Sequence, residues 1–318
     1  MIAELAVVER DGFAESHHFG TLVALAADGS VAFAAGDPAA PILPRSSVKP
    51  WQAVTCHASG LVLDDAGTAI SAGSHTGEDA HAVLAREILV SAGLTEDALG
   101  CPPDWPEDRA TLHGLIAGGG VATPIRMNCS GKHAAMLATC VVNGWDTASY
   151  LSPEHPLQQR VRATVEAATG APVTHVTTDG CGAPLFGTSV HGLALAASRL
   201  VVSPVGSPER TVADAMRAQP FYVGGTGQVN TVLMQRVPGV LAKGGAEGVL
   251  VAAAPDGRAV AMKVFDGSPR ATTLLAVAAL GFLGVDMSGA GELASVPVFG
   301  GGRPVGRIRL GADVQGLQ

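Results

Sequence analysis

Two strand–turn–strand segments, one near each end of the chain, constrain the fold most. Residues 19–36 read FGTLVALAADGSVAFAAG, with an apolar run on either side of Asp28-Gly29. Residues 246–267 read AEGVLVAAAPDGRAVAMKVFDG and turn at a Pro-Asp-Gly sequence. Apolar runs around such turn residues are typical of β-hairpins, because Asp and Gly readily adopt the positive φ angles of tight turns. We therefore predict that the two hairpins pair in one antiparallel sheet.

The residues between the two hairpins are predicted to be mainly helical. VKPWQAVTCHASG, EDAHAVLAREILVSAG and SGKHAAMLATCVVNG carry apolar residues at helical spacing. The tail, which contains GRIRLG, either adds a last strand or stays loose. We expect an α+β fold, in which helices cover an antiparallel sheet built from the N- and C-terminal hairpins. No linker is visible, so residues 1–318 are expected to form a single domain with a helical subregion in the middle.

Composition and charge exclude several classes of partner. The net charge is −8, no basic run is present and aromatic residues make up only 4%, which argues against nucleic acid. The N-terminal sequence MIAELAVVERDG lacks the cationic lead of a signal peptide, and the longest apolar run is too short to span a bilayer. The five cysteines, an odd number, suggest free thiols or ligands. A cytoplasmic protein without a membrane partner is therefore predicted.

The stretch PRSSVKP contains a serine and a lysine three positions apart, Ser46 and Lys49. On a helix these positions share one side, so the amine can reach the hydroxyl. A serine hydroxyl is a weak nucleophile that needs a base, and a lysine with a lowered pKa can be that base. The alternative is an ordinary helix start with a surface lysine, because Ser-x-x-Lys is a short motif that occurs often by chance.

A second polar stretch, SAGSHTGE at residues 71–78, follows an apolar segment directly. Its polar side chains include Ser74, His75 and Thr76. Thr76 is well placed to cap a helix that begins near Glu78. That structural role would still leave Ser74 available for chemistry.

Two cysteine-containing stretches, RMNCSGKHA and TTDGCGAP, supply possible metal ligands. Cys129, Lys132 and His133 are spaced to lie on one face of a helix, and the helix start favours a thiolate at Cys129. Cys181 lies in a glycine-rich loop with Asp179, which could also be a simple turn former. Two thiolates alone do not complete a tetrahedral metal site, and a buried cysteine with polar neighbours is the alternative reading of Cys129.

Taken in order, these motifs resemble those of the rhizobial-type L-asparaginases. ESHHFG, RSSVKP, GSHTGE, NCSGKH, DGCGAP, KGGAEGV and the strand that carries Lys263 follow one another between residues 15 and 267. One such motif would mean little, but the ordered set is specific. The resemblance implies a fold similar to that of serine β-lactamases and glutaminases. The residues after this region carry no motif of the family.

The resemblance also implies roles for individual residues. It implies a catalytic set with Ser46 as nucleophile, Lys49 as its base, and Ser74 and Lys263 as a second serine and lysine nearby. It implies a substrate site formed by Arg45, Asp179 and His75, in which Asp179 holds the α-ammonium group. It implies one Zn²⁺ per chain, held by Cys129, Lys132 and Cys181, with the lysine bound as a neutral amine.

Alternatives remain for several of these residues. Lys263 lies in the alternating sequence AVAMKVFDG and could be a solvent-facing lysine on a strand. His18, His75 and His133 could serve only to tie loops together by hydrogen bonds. On spacing alone, His133 would serve as well as Lys132 as the third zinc ligand. Lys243, in AKGGAEGV, invites comparison with the Lys-Thr-Gly element of β-lactamases, but the threonine is absent and no catalytic role is predicted for it.

The function that the resemblance implies is hydrolysis of L-asparagine to L-aspartate and ammonia by a Ser-Lys nucleophilic mechanism. The zinc is expected to aid substrate binding, and the family suggests a homodimer. One alternative is another serine amidohydrolase or esterase on the same scaffold, such as a penicillin-recognising enzyme or a glutaminase. The other is a non-catalytic zinc-binding protein, in which the Ser-x-x-Lys spacing is accidental.

Overall fold

The computed structural model describes residues 2–317 as a mixture of strands and helices. Within that range the strands are β1 (Ala3–Arg10), β2 (Phe13–Leu25), β3 (Val31–Ala35), β4 (Pro41–Ile42), β5 (Val176–Thr178), β6 (Pro184–Phe186), β7 (Thr188–Ser189), β8 (Leu241–Gly245), β9 (Val249–Ala253), β10 (Ala259–Val264), β11 (Val296–Gly300) and β12 (Arg303–Leu310). The helices are α1 (Lys49–Ala58), α2 (Asp65–Ser71), α3 (Asp79–Ser91), α4 (Arg109–Ala117), α5 (Ser130–Asn143), α6 (Pro156–Thr169), α7 (Val190–Val202), α8 (Pro208–Ala218), α9 (Pro220–Gly224), α10 (Val229–Arg236) and α11 (Thr272–Phe282).

The main sheet has eight antiparallel strands and joins the two ends of the chain. Its order is β11-β12-β1-β2-β10-β9-β8, with β3 paired to β2. The first predicted hairpin is confirmed as β2 and β3, and Gly29 in its turn has φ +83°. The second is confirmed as β9 and β10. Lys263 on β10 pairs with Thr21 on β2, so the hairpins lie side by side, as predicted.

The sheet extends beyond the two hairpins on both sides. The tail forms β12, which pairs with β1 and places Val8 opposite Ile308, so the GRIRLG segment is a strand and not a loose end. On the other side the sheet ends with β8, whose sequence LAKGG has no clear alternation of apolar and polar residues. That short run, with its lysine and two glycines, explains why the sequence alone does not mark β8 as a strand.

Helices cover the sheet and form a second, helical region. Helices α7 and α11 pack against β9 and β10, whereas α1, α2, α5, α6 and α8 pack mainly on one another. The combination confirms the predicted α+β fold class. None of the helices within residues 2–317 has both the length and the apolar character needed to cross a bilayer.

Strand β8 approaches the start of α1 unusually closely. A 3₁₀ turn, Arg45–Val48, leads directly into α1. At Gly245 on β8, a Cβ atom would lie 2.7 Å from the Pro44 carbonyl oxygen and 3.2 Å from the Ser47 nitrogen. Only glycine permits this approach, because such distances are shorter than normal van der Waals contact. The Ser-Lys turn and the lysine of β8 are thereby brought to the same place.

Candidate active site

The Ser74 hydroxyl lies between two lysine side chains. Lys49 Nζ donates to Ser74 Oγ at 2.8 Å, and Lys243 Nζ lies 2.9 Å from the same oxygen. Each amine also donates to a backbone carbonyl, Lys49 to Gly73 at 2.6 Å and Lys243 to Gly244 at 2.7 Å. Both lysines are buried, with exposures of 1% and 0%. Buried lysines are uncommon, and two that meet at one hydroxyl make this cluster a candidate site for proton transfer.

Three elements position this cluster. Lys49 is the first residue of α1, Ser74 follows the end of α2, and Lys243 lies on β8. The backbone around Ser74 is held from both sides. Ser74 N donates to the Val223 carbonyl at 2.8 Å, and His75 N donates to the Asn128 carbonyl at 3.0 Å. Main-chain hydrogen bonds therefore fix the backbone at Ser74 independently of the contacts between its side chain and the two lysines.

The electrostatics of the cluster favour one neutral amine. Burial, and then the nearby charge of Lys49, lower the pKa of Lys243 well below its ordinary value. Two ammonium groups at one oxygen would repel, so loss of one proton relieves the repulsion. A neutral Lys243 can accept a proton from Ser74 Oγ, while Lys49 donates to the same oxygen. The cluster thus combines a base, a hydroxyl and a cation, the parts that general acid–base catalysis requires.

Ser46 lies on the 3₁₀ turn immediately before α1 and is partly exposed. The Lys49 N–H donates to the Ser46 carbonyl, but Ser46 Oγ makes no hydrogen bond with the described residues. Arg45, just before it, has φ +53°, a left-handed conformation that is strained for a non-glycine residue and common at functional sites. Ser46 and Lys49 share one turn as the spacing predicts, although the amine of Lys49 is hydrogen-bonded to Ser74.

The resemblance implied Lys263 as the second lysine of the cluster, and the structure places Lys243 there. Lys263 Nζ instead donates to the Glu247 carbonyl and, at 3.0 Å, to the Val264 carbonyl. Burial lowers the pKa of Lys263, but no contact joins it to Ser74 among residues 2–317. The sequence feature that could have indicated a buried Lys243 is its segment, which otherwise consists of apolar residues and glycines, where a charged side chain is unusual.

Arg45 and Asp179 form an ion pair beside the Ser-Lys turn. Arg45 Nε donates to Asp179 Oδ1 at 2.7 Å, and the Gly180 N–H donates to the same oxygen at 2.9 Å. The Asp179 side chain is only 10% exposed, and the more exposed Glu247 lies 3.9 Å from Arg45 Nη1. The two predicted substrate-binding charges are therefore paired with each other, and Arg45 adjoins Ser46 in the chain.

His75, the third predicted substrate-binding residue, is completely buried and fully paired within the protein. Its Nδ1 accepts from the Gly77 N–H at 3.2 Å, so its Nε2 carries the proton and donates to Ser130 Oγ at 3.1 Å. Burial, and then His81, lower its pKa well below the ordinary value. Both ring nitrogens are engaged, so His75 ties together the segments that surround Ser74. This is the structural role that the sequence offered as the alternative to substrate binding.

Cys129, Lys132 and Cys181 meet in a second buried cluster. Cys129 is the N-cap of α5, Lys132 lies in its first turn, and Cys181 comes from the loop after β5. Lys132 Nζ lies 3.0 Å from Cys181 Sγ. The Cys129 thiol donates to Asn128 Oδ1 at 3.0 Å. The contact with Cys129 lowers the pKa of Cys181 against the effect of burial, and the Lys132 charge lowers it further.

The pKa values of Cys129 and Lys132, the other two members of the cluster, are shifted as well. The contact with Cys181, and then burial, raise the pKa of Cys129 well above its ordinary value. Burial lowers the pKa of Lys132, but the charges of Cys181 and Cys129 outweigh it and the net pKa is raised. Zinc binds donors in their deprotonated form, so metal binding here would be accompanied by loss of the protons that these side chains carry.

His133, the alternative to Lys132 as a metal ligand, is held in place by Tyr150. Burial lowers the pKa of His133, so the ring is neutral and carries one proton. The Tyr150 hydroxyl accepts from the Gly100 N–H at 2.8 Å and lies 2.6 Å from His133 Nδ1. Because a hydroxyl oxygen can accept two hydrogen bonds, the contact with Tyr150 fits either tautomer of the ring, and Nε2 is buried without a hydrogen-bond partner among the described residues. In residues 2–317, no three His, Cys, Asp or Glu side chains are grouped to hold a metal.

Three solved structures show distant similarity to this chain. A β-lactamase from Mycobacterium bovis is 14% identical at a TM-score of 0.44, and the match covers 83% of this chain and 94% of that one. Mglu in its glutamate form is 13% identical at a TM-score of 0.45, covering 86% of this chain and 61% of that one. A hydrolase with promiscuous acyltransferase activity is 12% identical at a TM-score of 0.42, covering 82% and 93%. At this level of similarity the relatives carry nothing about what this chain acts on.

The family assignment comes from the sequence over nearly the whole chain. No curated protein matches it. The family described as L-asparaginase II, however, matches residues 6–310, a range that contains every residue of both clusters. A family of asparaginases is a family of enzymes that hydrolyse amides, which agrees with a hydroxyl held between two lysines. The chain therefore belongs to the L-asparaginase II family and is an amidohydrolase of that family.

Proposed function

We propose that this protein is an L-asparaginase, which hydrolyses the side-chain amide of L-asparagine to L-aspartate and ammonia. The observation that carries the proposal is the contact of Ser74 Oγ with both Lys49 and Lys243, in a chain of the L-asparaginase II family. Amide hydrolysis by a serine needs a nucleophile, a base and a donor to the leaving nitrogen. Two serines and two buried lysines at one place can divide those tasks.

In the proposed mechanism, Ser46 Oγ attacks the amide carbon and forms an acyl-enzyme. Ser74 connects the two lysines, because Lys49 donates to its oxygen and its own proton can pass to a neutral Lys243. That shift moves one proton from Lys49 to Lys243 and leaves Lys49 neutral beside Ser46. Lys49 then takes the Ser46 proton, and the departing ammonia takes a proton from the same cluster. Water hydrolyses the ester and releases L-aspartate.

The substrate is recognised as a free α-amino acid. The Asp179 carboxylate pairs with the α-ammonium group, since one of its oxygens is occupied by Arg45 and Gly180 while the other makes no hydrogen bond with the described residues. Arg45 uses its Nε for Asp179 and keeps further N–H groups for the α-carboxylate. The ion pair therefore presents both signs of charge to a zwitterionic head group.

Zinc is part of the proposal as an aid to substrate binding. Cys129, Lys132 and Cys181 would hold it, since their donor types and proximity suit the ion. When bound, the ion supplies a positive charge near the substrate head group. The nucleophile is Ser46 in either case. The homodimer and the cytoplasmic location expected from the sequence also remain part of the proposal.

Ammonia release tests this function most simply. Purified protein is given L-asparagine, L-glutamine, a simple amide, an ester and a penicillin, and each product is measured. We expect L-asparagine to react fastest, and Ser46→Ala to abolish that activity while the exposed control Ser30→Ala keeps it. Hydrolysis of the ester or the penicillin without hydrolysis of L-asparagine would favour another serine hydrolase instead.

A further inference from the structure

One carboxylate joins two segments of the chain beside Ser74. Glu78 Oε1 accepts from Thr76 Oγ1 at 2.8 Å and from the Thr226 N–H at 2.8 Å. Glu78 Oε2 accepts from Thr226 Oγ1 at 3.0 Å. The side chain of Glu78 therefore binds the loop after α2 to the loop after α9. None of these bonds belongs to the catalytic set or to the thiol cluster.

The two segments also meet through their backbones. Ser74 N donates to the Val223 carbonyl at 2.8 Å, and Thr76 N donates to the Gly224 carbonyl at 3.0 Å. At Gly225 the chain has φ +108°, and a Cβ atom there would overlap Thr76 Oγ1. The close approach needs a glycine at this position. The threonine hydroxyl that faces it is the one that donates to Glu78.

This arrangement makes the position of Ser74 depend on the loop after α9. The hydroxyl of Ser74 must lie within hydrogen-bond distance of two amines that come from α1 and β8. A small displacement of the Ser74 backbone would lengthen both contacts together. Misplacement of a reacting group by about 1 Å can cost about 100-fold in rate.

We propose that Glu78 is a positioning residue, which holds Ser74 between Lys49 and Lys243 by fastening residues 223–226 to residues 74–76. The proposal rests on the proposed function of the Ser74 cluster and assigns a role that the family motifs do not. Capping of α3 does not account for Glu78. It is the N-cap residue of α3, but its side chain makes no capping hydrogen bond. Thr76, which the sequence suggested as a cap, instead donates to Glu78.

Two substitutions separate this role from a general effect on stability. Glu78→Ala removes all three side-chain bonds. Glu78→Gln keeps them, because its oxygen can accept from Thr76 and from the Thr226 N–H while its amide donates to Thr226 Oγ1. We expect Glu78→Ala to lower kcat for L-asparagine by about 10- to 100-fold with little change in KM. Glu78→Gln should restore kcat to near the wild-type value.

A matched control is available on another helix. Glu166 Oε1 accepts from the Val173 N–H at 2.9 Å, so it also ties a loop to a helix, but far from Ser74 in the chain. Glu166→Ala should loosen the loop at Val173 and leave kcat unchanged. If Glu78→Ala does not fold, Thr226→Val takes its place, because it removes the Oγ1 bond and keeps the N–H.

Hydrogen exchange supplies a readout that needs no substrate. In Glu78→Ala, the amides of Ser74 and Thr76 should exchange faster than in the wild type, and exchange at Val173 should not change. Unchanged exchange at residues 74–76 would overturn the proposal, and so would faster exchange with a normal kcat. If the wild type releases no ammonia from L-asparagine, the proposed function fails, whereas the exchange result still decides whether Glu78 fixes Ser74.

Discussion

Lys49 and Lys243 share one acceptor, the Ser74 hydroxyl, at 2.8 and 2.9 Å. The two lysines come from opposite parts of the chain, one from the start of α1 and one from β8. Burial, and then the charge of Lys49, lower the pKa of Lys243 well below the ordinary lysine value. In the proposed mechanism the two lysines exchange a proton through the Ser74 hydroxyl.

Lys243 should be essential for catalysis, and Lys263 should not. Lys243→Met removes the neutral amine beside Ser74, so we expect a loss of about 100-fold or more in kcat, the range found for a general base. Lys263→Met is the matched control, because Lys263 contacts only the carbonyls of Glu247 and Val264 in the described structure. Ammonia release by the two purified variants checks this. Equal losses of kcat in the two variants, or a larger loss in Lys263→Met, would identify Lys263 as the second catalytic lysine.

Lys243 should also make stability depend on pH. Its folded pKa is lowered well below the ordinary lysine value, so between these two pKa values the unfolded chain binds a proton that the folded chain does not. The free energy of unfolding of the wild type therefore rises with pH across that window. Lys243→Met lacks this group and this rise. The free energy of unfolding of the wild type, relative to that of Lys243→Met, should therefore increase with pH across this window.

Urea denaturation of both proteins at several pH values, up to about 10, measures that difference. Ser30→Ala, on an exposed turn, serves as a control whose difference from the wild type should not vary with pH above neutrality, where Asp28, the carboxylate that Ser30 binds, stays ionised. A constant difference between Lys243→Met and the wild type would mean that Lys243 titrates alike in the folded and unfolded states.

Asp179 should act on substrate binding more than on chemistry. Asp179→Asn keeps an oxygen for Arg45 and Gly180 but loses the negative charge, so KM for L-asparagine should rise by about 10- to 100-fold. An amide without an α-ammonium group should bind poorly to the wild type and lose little more in the variant. Steady-state kinetics with both substrates give the answer. Equal losses for both would show that Asp179 serves to hold Arg45 and does not read the ammonium group.

The thiol cluster should hold one zinc per chain. Lys132→Ala should release the metal, and His133→Ala should retain it, because Lys132 Nζ lies 3.0 Å from Cys181 Sγ. Metal content by plasma mass spectrometry separates the two variants without any assay of activity. Release of zinc by His133→Ala with retention by Lys132→Ala would make the histidine the ligand.

Removal of zinc from the wild type should affect binding more than turnover. Treatment with a chelator should raise KM for L-asparagine and leave kcat comparatively unchanged, because the nucleophile in the proposed mechanism is a serine hydroxyl. Thermal unfolding of the treated protein controls for loss of the fold. A complete loss of kcat in protein that remains folded would point to a metallohydrolase and remove Ser46 from the mechanism.

Local patterns in the sequence predicted much of the fold. The Asp-Gly turns predicted both hairpins, because turn residues between apolar runs act over a few neighbouring positions. The pairing of β1 with β12 was not predictable in the same way. It joins Val8 to Ile308 across almost the entire chain, and no local pattern encodes a partner at that distance.

The candidate site was predicted in part. Local spacing brought Ser46 and Lys49 into one turn, and Cys129 and Lys132 onto one helix. The choice between Lys243 and Lys263 depended on which strand of the sheet passes beside α1, which is set by tertiary packing at Gly245. The burial of His75 likewise depended on segments that are distant in the sequence, such as the one that carries Ser130.

The most direct test of the account is to find which serine carries the acyl group. The protein is mixed with L-asparagine, quenched in acid during turnover and digested, and the peptides that contain Ser46 and Ser74 are examined by mass spectrometry. If Ser46 is the nucleophile, we expect one aspartyl group on Ser46, none on Ser74, and no adduct in Ser46→Ala. An aspartyl group on Ser74, which lies in contact with both lysines, would contradict it and make Ser74 the nucleophile.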